Sequence, residues 1–275
     1  MNITICLSTY NGTKHIEQQL DSIINQTYSD WLLKIRDDGS VDGTFEILQK
    51  YAQKYEDKIQ IIGDGNENIG VTQSFAKLIE SCATDYIMLC DQDDVWLSDK
   101  IELSFKAIKK LEAETEKSKP LLVFTDAKVV DENLNVLNNS FWETQKITPK
   151  ICNNYKKLLA LNAVTGCTVI FNRFLVSHIL PMPDFLKVHD GWIAVNAAYY
   201  GKLDYIQQPT MLYRQHTTNV FGAHKIGFSY FRSKMNFQGF KNFRLYMKSF
   251  SFKVSLAQIM WYKICFSVLR IFKKT

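Results

Sequence analysis

The chain has 275 residues, of which 46% are hydrophobic and 22% charged, and its formal net charge is +5. That size suits one large α/β domain, with or without an appendage, and the composition excludes a disordered or low-complexity chain. Six cysteines occur without a C-x-x-C pair, which argues against a zinc knuckle or a redox dithiol and fits a reducing, cytosolic compartment. The start of the chain, "MNITICLSTYNG", has no basic segment followed by a long apolar run, so no secretory signal is expected there.

The net charge hides an asymmetry. Residues 225–275 hold eleven Lys and Arg, and no Asp or Glu follows Asp204. The rest of the chain has 22 basic against 28 acidic residues, so an acidic body carries a basic, aromatic tail. Such a tail points to an anionic partner for that segment alone.

In chain order, "ITICLS" reads as a strand and "TKHIEQQLDSIINQ" as a helix, with Ile16, Leu20, Ile23 and Ile24 on one face. "WLLKIRD" is the next strand, and "SVDGTFEILQKYAQKY" a helix with Phe45, Leu48 and Ala52 on one face. "KIQIIG" is a strand, "GVTQSFAKLIESC" a helix and "DYIMLCD" a strand. "SDKIELSFKAIKKLEAE" is a helix that Ser98 could cap, and "PLLVFTDAKVVD" is extended. This alternation predicts a doubly wound, mostly parallel sheet with crossover helices. Beyond Asp131 the rhythm loosens. "YKKLLALN" reads as a helix, "CTVIFN" as a strand, "GWIAVNAAYYG" as a helix ended by Gly201, and "KLDYIQQPTMLYRQH" as extended chain broken at Pro209.

Ligands in such sheets bind past the carboxyl ends of the strands. Three polar stretches fall there: "STYNG" after the first strand, "RDDGSVDGT" after the second and "CDQDDVW" after the fourth. The last packs Asp91, Asp93 and Asp94 behind an apolar strand, an arrangement that calls for a positive partner. A divalent cation such as Mg²⁺ or Mn²⁺ would supply it, because hard cations take oxygen ligands and bridge carboxylates to phosphates. The alternative is that the three carboxylates cap the next helix and face water. "RDDGSVDGT" and "STYNG" likewise have the composition of ordinary turns. No G-x-x-x-x-G-K-[ST] occurs, which excludes a P-loop, and "GDGNENIG" lacks the G-x-G-x-x-G spacing of a nicotinamide site. A nucleotidyltransferase would use the same metal-carboxylate logic, but "STYNGTK" is a weak substitute for its basic glycine-rich loop.

Taken together, "STYNG", "RDDGSVDGT", "NIG", "CDQDDVW", "HDGW" and "YRQHTTN" resemble glycosyltransferase family 2, and the last motifs resemble its bacterial rhamnosyltransferase-like branch. The resemblance runs from Ile3 to about Ala223. It implies a GT-A, Rossmann-like fold and inverting sugar transfer from a nucleoside-diphosphate sugar, with rhamnose the first choice of sugar and galactose or glucose from a uridine diphosphate donor the next. It implies a catalytic domain over residues 1–224, with a nucleotide-binding half (1–130) and an acceptor half (131–224).

By the same resemblance, Ser8, Tyr10 and Asn11 line the nucleotide, Asp38 reads the base N–H beside Asp37, and Asn68 and Gly70 belong to the donor site. Asp93 matches the main metal ligand. Asp91 matches a carboxylate on the ribose or on a metal-bound water, His216 a histidine near the metal or diphosphate, and Asp190 the catalytic base. His189 stands where many relatives have Glu. Gly166, Trp96 and Trp192 are candidates for the acceptor or sugar side, the two tryptophans through their flat apolar faces, with core packing as the alternative.

The tail, residues 225–275, is expected to be helical. Arg270, Lys263, Lys273, Lys274 and Gln258 share half of a helical wheel, interrupted by Leu256, Ile259 and Phe266. It is a poor membrane span but a plausible interfacial helix on anionic lipid, which would put the protein on the cytoplasmic face of the plasma membrane beside a glycan or lipid-linked acceptor. Packing on the catalytic domain, a partner protein and single-stranded nucleic acid are the alternatives, and nucleic acid is not expected.

Overall fold

The computed structural model describes residues 1–215 and 237–272. Its strands are β1 (Ile3–Thr9), β2 (Trp31–Asp37), β3 (Ile59–Ile61), β4 (Tyr86–Cys90), β5 (Val95–Trp96), β6 (Leu121–Val130), β7 (Val136–Asn138), β8 (Val169–Asn172) and β9 (Lys202–Arg214). Its helices are α1 (Ile16–Ile24), α2 (Thr44–Lys54), α3 (Val71–Glu80), α4 (Lys100–Ala113), α5 (Phe141–Thr144), α6 (Tyr155–Ala160), α7 (Val176–Ile179), α8 (Asp190–Tyr200), α9 (Phe237–Ser249) and α10 (Leu256–Phe272).

The sheet order is β3-β2-β1-β4-β8-β6-β9-β5, with β7 on β6. From β3 to β4 every pairing is parallel, as the strand–helix alternation predicts. The rhythm breaks at β8, which lies antiparallel between β4 and β6. Parallel pairing resumes between β6 and β9, with a register shift opposite Pro209, a residue that has no N–H for the ladder. The result is the α/β, Rossmann-like arrangement expected of a GT-A fold. One expected detail fails: Asp99, not Ser98, precedes α4, and neither side chain caps it.

β1 and β4 are buried along nearly their whole length because helices cover both faces. One buried cluster joins Ile5, Leu7, Ile16, Leu33 and Ile101 beneath α1 and α4. The other joins Phe75, Leu89, Phe171 and Trp192 with Phe250, Phe252 and Ile259 of the C-terminal segment. Residues 237–272 therefore share the core of the preceding domain. Of the expected basic half of the α10 wheel, Lys263 and Arg270 turn inward to line a cleft beside the fully buried Ile259, and Lys273 and Lys274 lie outside the described residues. The outward face is apolar, with Trp261, Ile264, Val268 and Leu269 between 47% and 64% exposed.

The strand ends are held together by Arg214, the last residue of β9, which is 1% exposed. Its backbone N–H donates to Asp94 Oδ1 at 3.1 Å and its Nε to the Asp93 carbonyl at 2.8 Å. The guanidinium also donates to the Glu132 carbonyl at 2.6 Å and to Gln18 Oε1 at 2.6 Å. One cation thus ties the acidic loop after β4 to α1 and to the β6–β7 turn. Removing it leaves buried acceptors unsatisfied beside buried carboxylates. Arg214→Ala should lower folding stability by about 3 kcal/mol in denaturant titration; a change under about 0.5 kcal/mol would show that the loop holds itself.

Candidate active site

The ends of β1, β2 and β4 open on one cleft of about 1370 Å³, walled on the far side by residues 158–166, the start of α8, α9 and α10. Ser8, Tyr10, Asn11, Asp38, Asn68, Gly70, Asp91, Asp93, Gly166, Asp190 and Trp192 all line it.

The β1 end is fixed by reciprocal amide bonds. Tyr10 N–H donates to Gln92 Oε1 at 2.8 Å, and Gln92 Nε2 donates back to the Tyr10 carbonyl at 3.0 Å. Gly12 makes room for this pair, since a Cβ there would stand 2.4 Å from Gln92 Oε1. Asn11 sits at φ 47° and accepts the Val41 N–H at 3.0 Å, which ties it to the loop after β2. The Tyr10 side chain stays half exposed at the cleft mouth. Ser8 Oγ donates to Ser74 Oγ at 2.7 Å.

The two carboxylates after β2 divide their work. Asp37 accepts from Thr9 Oγ1 and from the N–H and hydroxyl of Ser40 within 2.8 Å, is buried, and lies outside the cleft lining. It holds a turn. Asp38 pairs with the buried Arg36 guanidinium and accepts the Ile69 and Gly70 N–H groups at 2.9 and 2.8 Å. It locks the "NIG" loop, and with it the exposed Asn68, against the end of β2.

The acidic loop after β4 brings its carboxylates to the cleft. Ligand atoms of Asp91, Asp94 and Cys167 lie within 4.8 Å of one another, and Asp93 stands beside them in the cleft wall. Burial, reinforced by the Asp93 charge, pushes Asp91 up to about 7. Burial and the same neighbour raise Asp94 well above the carboxylate range. Carboxylates held this way gain from a cation. Burial and the two carboxylates also raise the Cys167 thiol. The carboxylates form an oxygen donor set, which fits Mn²⁺ or Mg²⁺. His216 lies outside the described residues.

Asp190 is the first residue of α8, where the helix N-terminus favours a negative charge. Its Oδ1 accepts the Gly191 N–H at 2.6 Å, yet burial still pushes it up to about 6. Tyr246 of α9 packs close: a Cβ at Gly191 would lie 3.5 Å from its hydroxyl, and burial and the Asp190 charge raise that phenol. His189 is buried against Phe75 with ring centroids 4.2 Å apart, and burial pushes its imidazole down to about 4, so it is neutral. Gly166 is needed there, because a Cβ would stand 2.7 Å from His189 Nε2.

The tryptophans separate. Trp192 lines the cleft but is 6% exposed; its Nε1–H donates to the Ile179 carbonyl at 2.8 Å and its ring stacks on Phe250 at 4.7 Å. Trp96 corrects its expectation: it is 3% exposed, faces the core with Lys100 Nζ 5.0 Å from its ring, and does not reach the cleft. Sequence reasoning missed Arg214, although "YRQH" was in view for its histidine. It also missed Gln92, Cys167 and the contribution of α9 and α10, which bring Asn242, Phe243, Tyr246, Lys263 and Arg270 to the cleft.

Comparisons with known proteins agree with this geometry. The dTDP-rhamnosyl transferase RfbG of Shigella flexneri is 30% identical over 230 residues, covering 79% of this chain and 74% of that protein. The Escherichia coli UDP-Glc:alpha-D-GlcNAc-diphosphoundecaprenol beta-1,3-glucosyltransferase WfgD is 25% identical over 182 residues, 64% of this chain and 62% of that protein. Among solved structures, S. aureus TarS 1-349 in complex with UDP-GlcNAc matches with a TM-score of 0.64 at 14% identity, over 100% of this chain and 74% of that one. The mannosyltransferase PcManGT from Pyrobaculum calidifontis in complex with GDP-Man and Mn²⁺ matches with a TM-score of 0.63 at 16% identity, over 98% of this chain and 69% of that one. These structures share the GT-A fold. The model of Glycosyl transferase family 2 matches residues 4–180, so the chain belongs to glycosyltransferase family 2.

Proposed function

We propose that this glycosyltransferase moves a sugar, with rhamnose from a thymidine diphosphate donor as first choice, to a glycan or lipid-linked acceptor in bacterial surface polysaccharide synthesis. The observation that carries the reading is the meeting of Asp91 and Asp93 with Asp190 in one cleft, beside Ser8, Asn11 and Asp38 at the ends of β1 and β2. The similarity to RfbG favours rhamnose, and the similarity to WfgD keeps a uridine diphosphate hexose as the second reading.

Ser8, Tyr10 and Asn11 line the nucleoside side, and the Asp38–Arg36 pair holds Asn68 and Gly70 against it. Asp93 and Asp91 would hold Mn²⁺ or Mg²⁺, with Asp94 behind them. A bound cation offsets the charge of the leaving diphosphate. Asp190 takes the proton of the acceptor hydroxyl as that oxygen attacks the anomeric carbon. The bond to the nucleoside diphosphate breaks on the opposite face, and the configuration inverts. The closed cleft lining of Trp192, Phe243 and Tyr246 keeps Asp190 partly desolvated, which makes it a stronger base than an exposed aspartate.

Three outcomes follow. Because burial holds Asp190 near 6, kcat/KM should rise with pH through about 6 and then level off, and Asp190→Asn should cut transfer by roughly 10²-fold or more; near wild-type turnover in that variant removes Asp190 from the role. Asp93→Ala should abolish the Mn²⁺-dependent part of nucleotide affinity in calorimetry, and an unchanged affinity contradicts the ligand assignment.

The third outcome concerns the membrane. No helix among the described residues is long and apolar enough to cross a bilayer. The exposed Trp261, Ile264, Val268 and Leu269, on a segment with eleven basic and no acidic residues, suit attachment to an anionic surface on the cytoplasmic face. In the full chain, Trp261→Asp with Leu269→Asp should reduce partitioning onto phosphatidylglycerol vesicles at least tenfold. Equal sedimentation of variant and wild type ends the membrane reading.

A further inference from the structure

The residue that follows Asp190 in the first turn of α8 is a glycine. Glycine weakens a helix relative to alanine, and packing gives no reason for it here. A Cβ at Gly191 would meet the Tyr246 hydroxyl at 3.5 Å and Asn162 Nδ2 at 3.8 Å, both ordinary contacts, and its φ is not left-handed. The glycine leaves an open space framed by the Asp190 carboxylate, the Tyr246 phenol of α9 and the Asn162 amide of the loop after α6, all of which line the cleft. Two of these groups hold hydrogen-bond donors in reserve. Asn162 Nδ2 gives one hydrogen to the Val164 carbonyl at 2.8 Å while its Oδ1 accepts the Val164 N–H at 3.1 Å, so the amide is fixed with a second N–H to spare. The Tyr246 ring is held by an edge contact with Phe250 at 4.9 Å. Among the described residues nothing hydrogen-bonds its hydroxyl, and burial with the Asp190 charge keeps that group protonated.

We propose that Tyr246 and Asn162 bind the acceptor by donating to the oxygens beside the hydroxyl that Asp190 deprotonates. The inference rests on the transferase reading of the cleft and adds a substrate class: a pyranoside whose reacting hydroxyl has an oxygen on the neighbouring ring carbon. The frame places one proton-accepting carboxylate between two donors. A vicinal diol matches it, because one hydroxyl gives its proton to Asp190 while its neighbour accepts from Tyr246 or Asn162. An isolated alcohol meets only the carboxylate and leaves both donors buried and unpaired, which costs affinity. Tyr246 lies outside residues 4–180, the part of the chain that the family model matches. This wall of the acceptor site therefore comes from the chain's own C-terminal segment, and Gly191 keeps the space in front of it clear.

The test uses the full chain, with methyl hexopyranosides and their monodeoxy analogues as probes and ligand-observed NMR as the readout of binding. Tyr246→Phe keeps the ring and its contact with Phe250 and removes only the hydroxyl. It should weaken the best-bound glycoside about three- to tenfold, the loss of one hydrogen bond. One monodeoxy analogue should lose about as much in wild type and under about twofold in Tyr246→Phe, because the missing hydroxyl and the missing phenol are two ends of one contact. Gly191→Ala should weaken the same glycoside about fivefold or more without lowering the melting temperature, since the methyl fills the frame yet suits the helix. In transfer assays Tyr246→Phe should raise the acceptor KM, while the rise of kcat/KM with pH keeps its midpoint near 6.

Equal glycoside affinity in wild type and Tyr246→Phe overturns the proposal, and so does the failure of every probe to bind wild type. Deoxy analogues that lose the same factor in both proteins overturn it too, because the phenol then shapes the wall without touching the ligand. A shifted pH midpoint with unchanged affinity makes Tyr246 a partner of Asp190 and not of the acceptor. Displacement of the glycoside by dTDP-rhamnose or UDP-glucose with Mn²⁺ in Asp190→Asn puts the probe in the donor's sugar pocket, which also overturns the proposal. Full transfer activity in Asp190→Asn would remove the base assignment and leave these affinities as they are, so the two readings fail separately.

Discussion

Buried like charge at the end of β4 is the constraint around which this protein is organised. Three aspartates in four residues cannot sit behind a buried strand without compensation. Arg214 supplies part of it from behind, through the Asp93 carbonyl and the Asp94 side chain. That support anchors the loop but leaves Asp91 pushed up to about 7 at the front, facing the cleft. A loop anchored at the back, with carboxylates facing the cleft, has the oxygen donors that a hard cation takes. The opposite wall meets a different demand, since the base proposed there, Asp190, has to be partly dry. The N-terminus of α8 steadies its charge while burial raises its affinity for a proton.

The C-terminal segment belongs to the same machinery. Its aromatic residues complete the core under α8, with Phe250 stacked on Trp192 and Phe252 on Tyr199 at 3.8 Å. Its helices also close the cleft through Phe243, Tyr246, Lys263 and Arg270. A segment expected as an interfacial helix, with packing on the catalytic domain as the alternative, is thus part core and part cleft wall. The apolar surface it leaves outward is the feature of the fold least suited to water.

Much of the first half of the fold is legible in the sequence, because strand and helix alternate with unambiguous periods up to β4. The antiparallel entry of β8 is not legible: "CTVIFN" announces a strand but nothing about its direction or neighbours. In the cleft, the motifs at strand ends mark where Ser8, Asn11, Asp38, Asp91 and Asp93 meet. They do not distinguish Asp37, which is spent on its own turn, from Asp38, which lines the cleft. Trp96 and Trp192 look alike as sequence, yet β5 turns one into the core and α8 brings the other to the cleft. The inward turn of Lys263 and Arg270 was hidden because a helical wheel shows which residues share a face, not which way the face points. Ile259, read as an interruption of the basic face, marks the buried side.

The most direct test of the account is a crystal of the full chain grown with manganese and a nucleoside-diphosphate sugar, with the metal located by its anomalous scattering. The account predicts one strong peak coordinated by Asp93, with Asp91 within reach, and diphosphate oxygens on the same ion. A diphosphate lodged elsewhere in the cleft, with no peak at the end of β4, would contradict it.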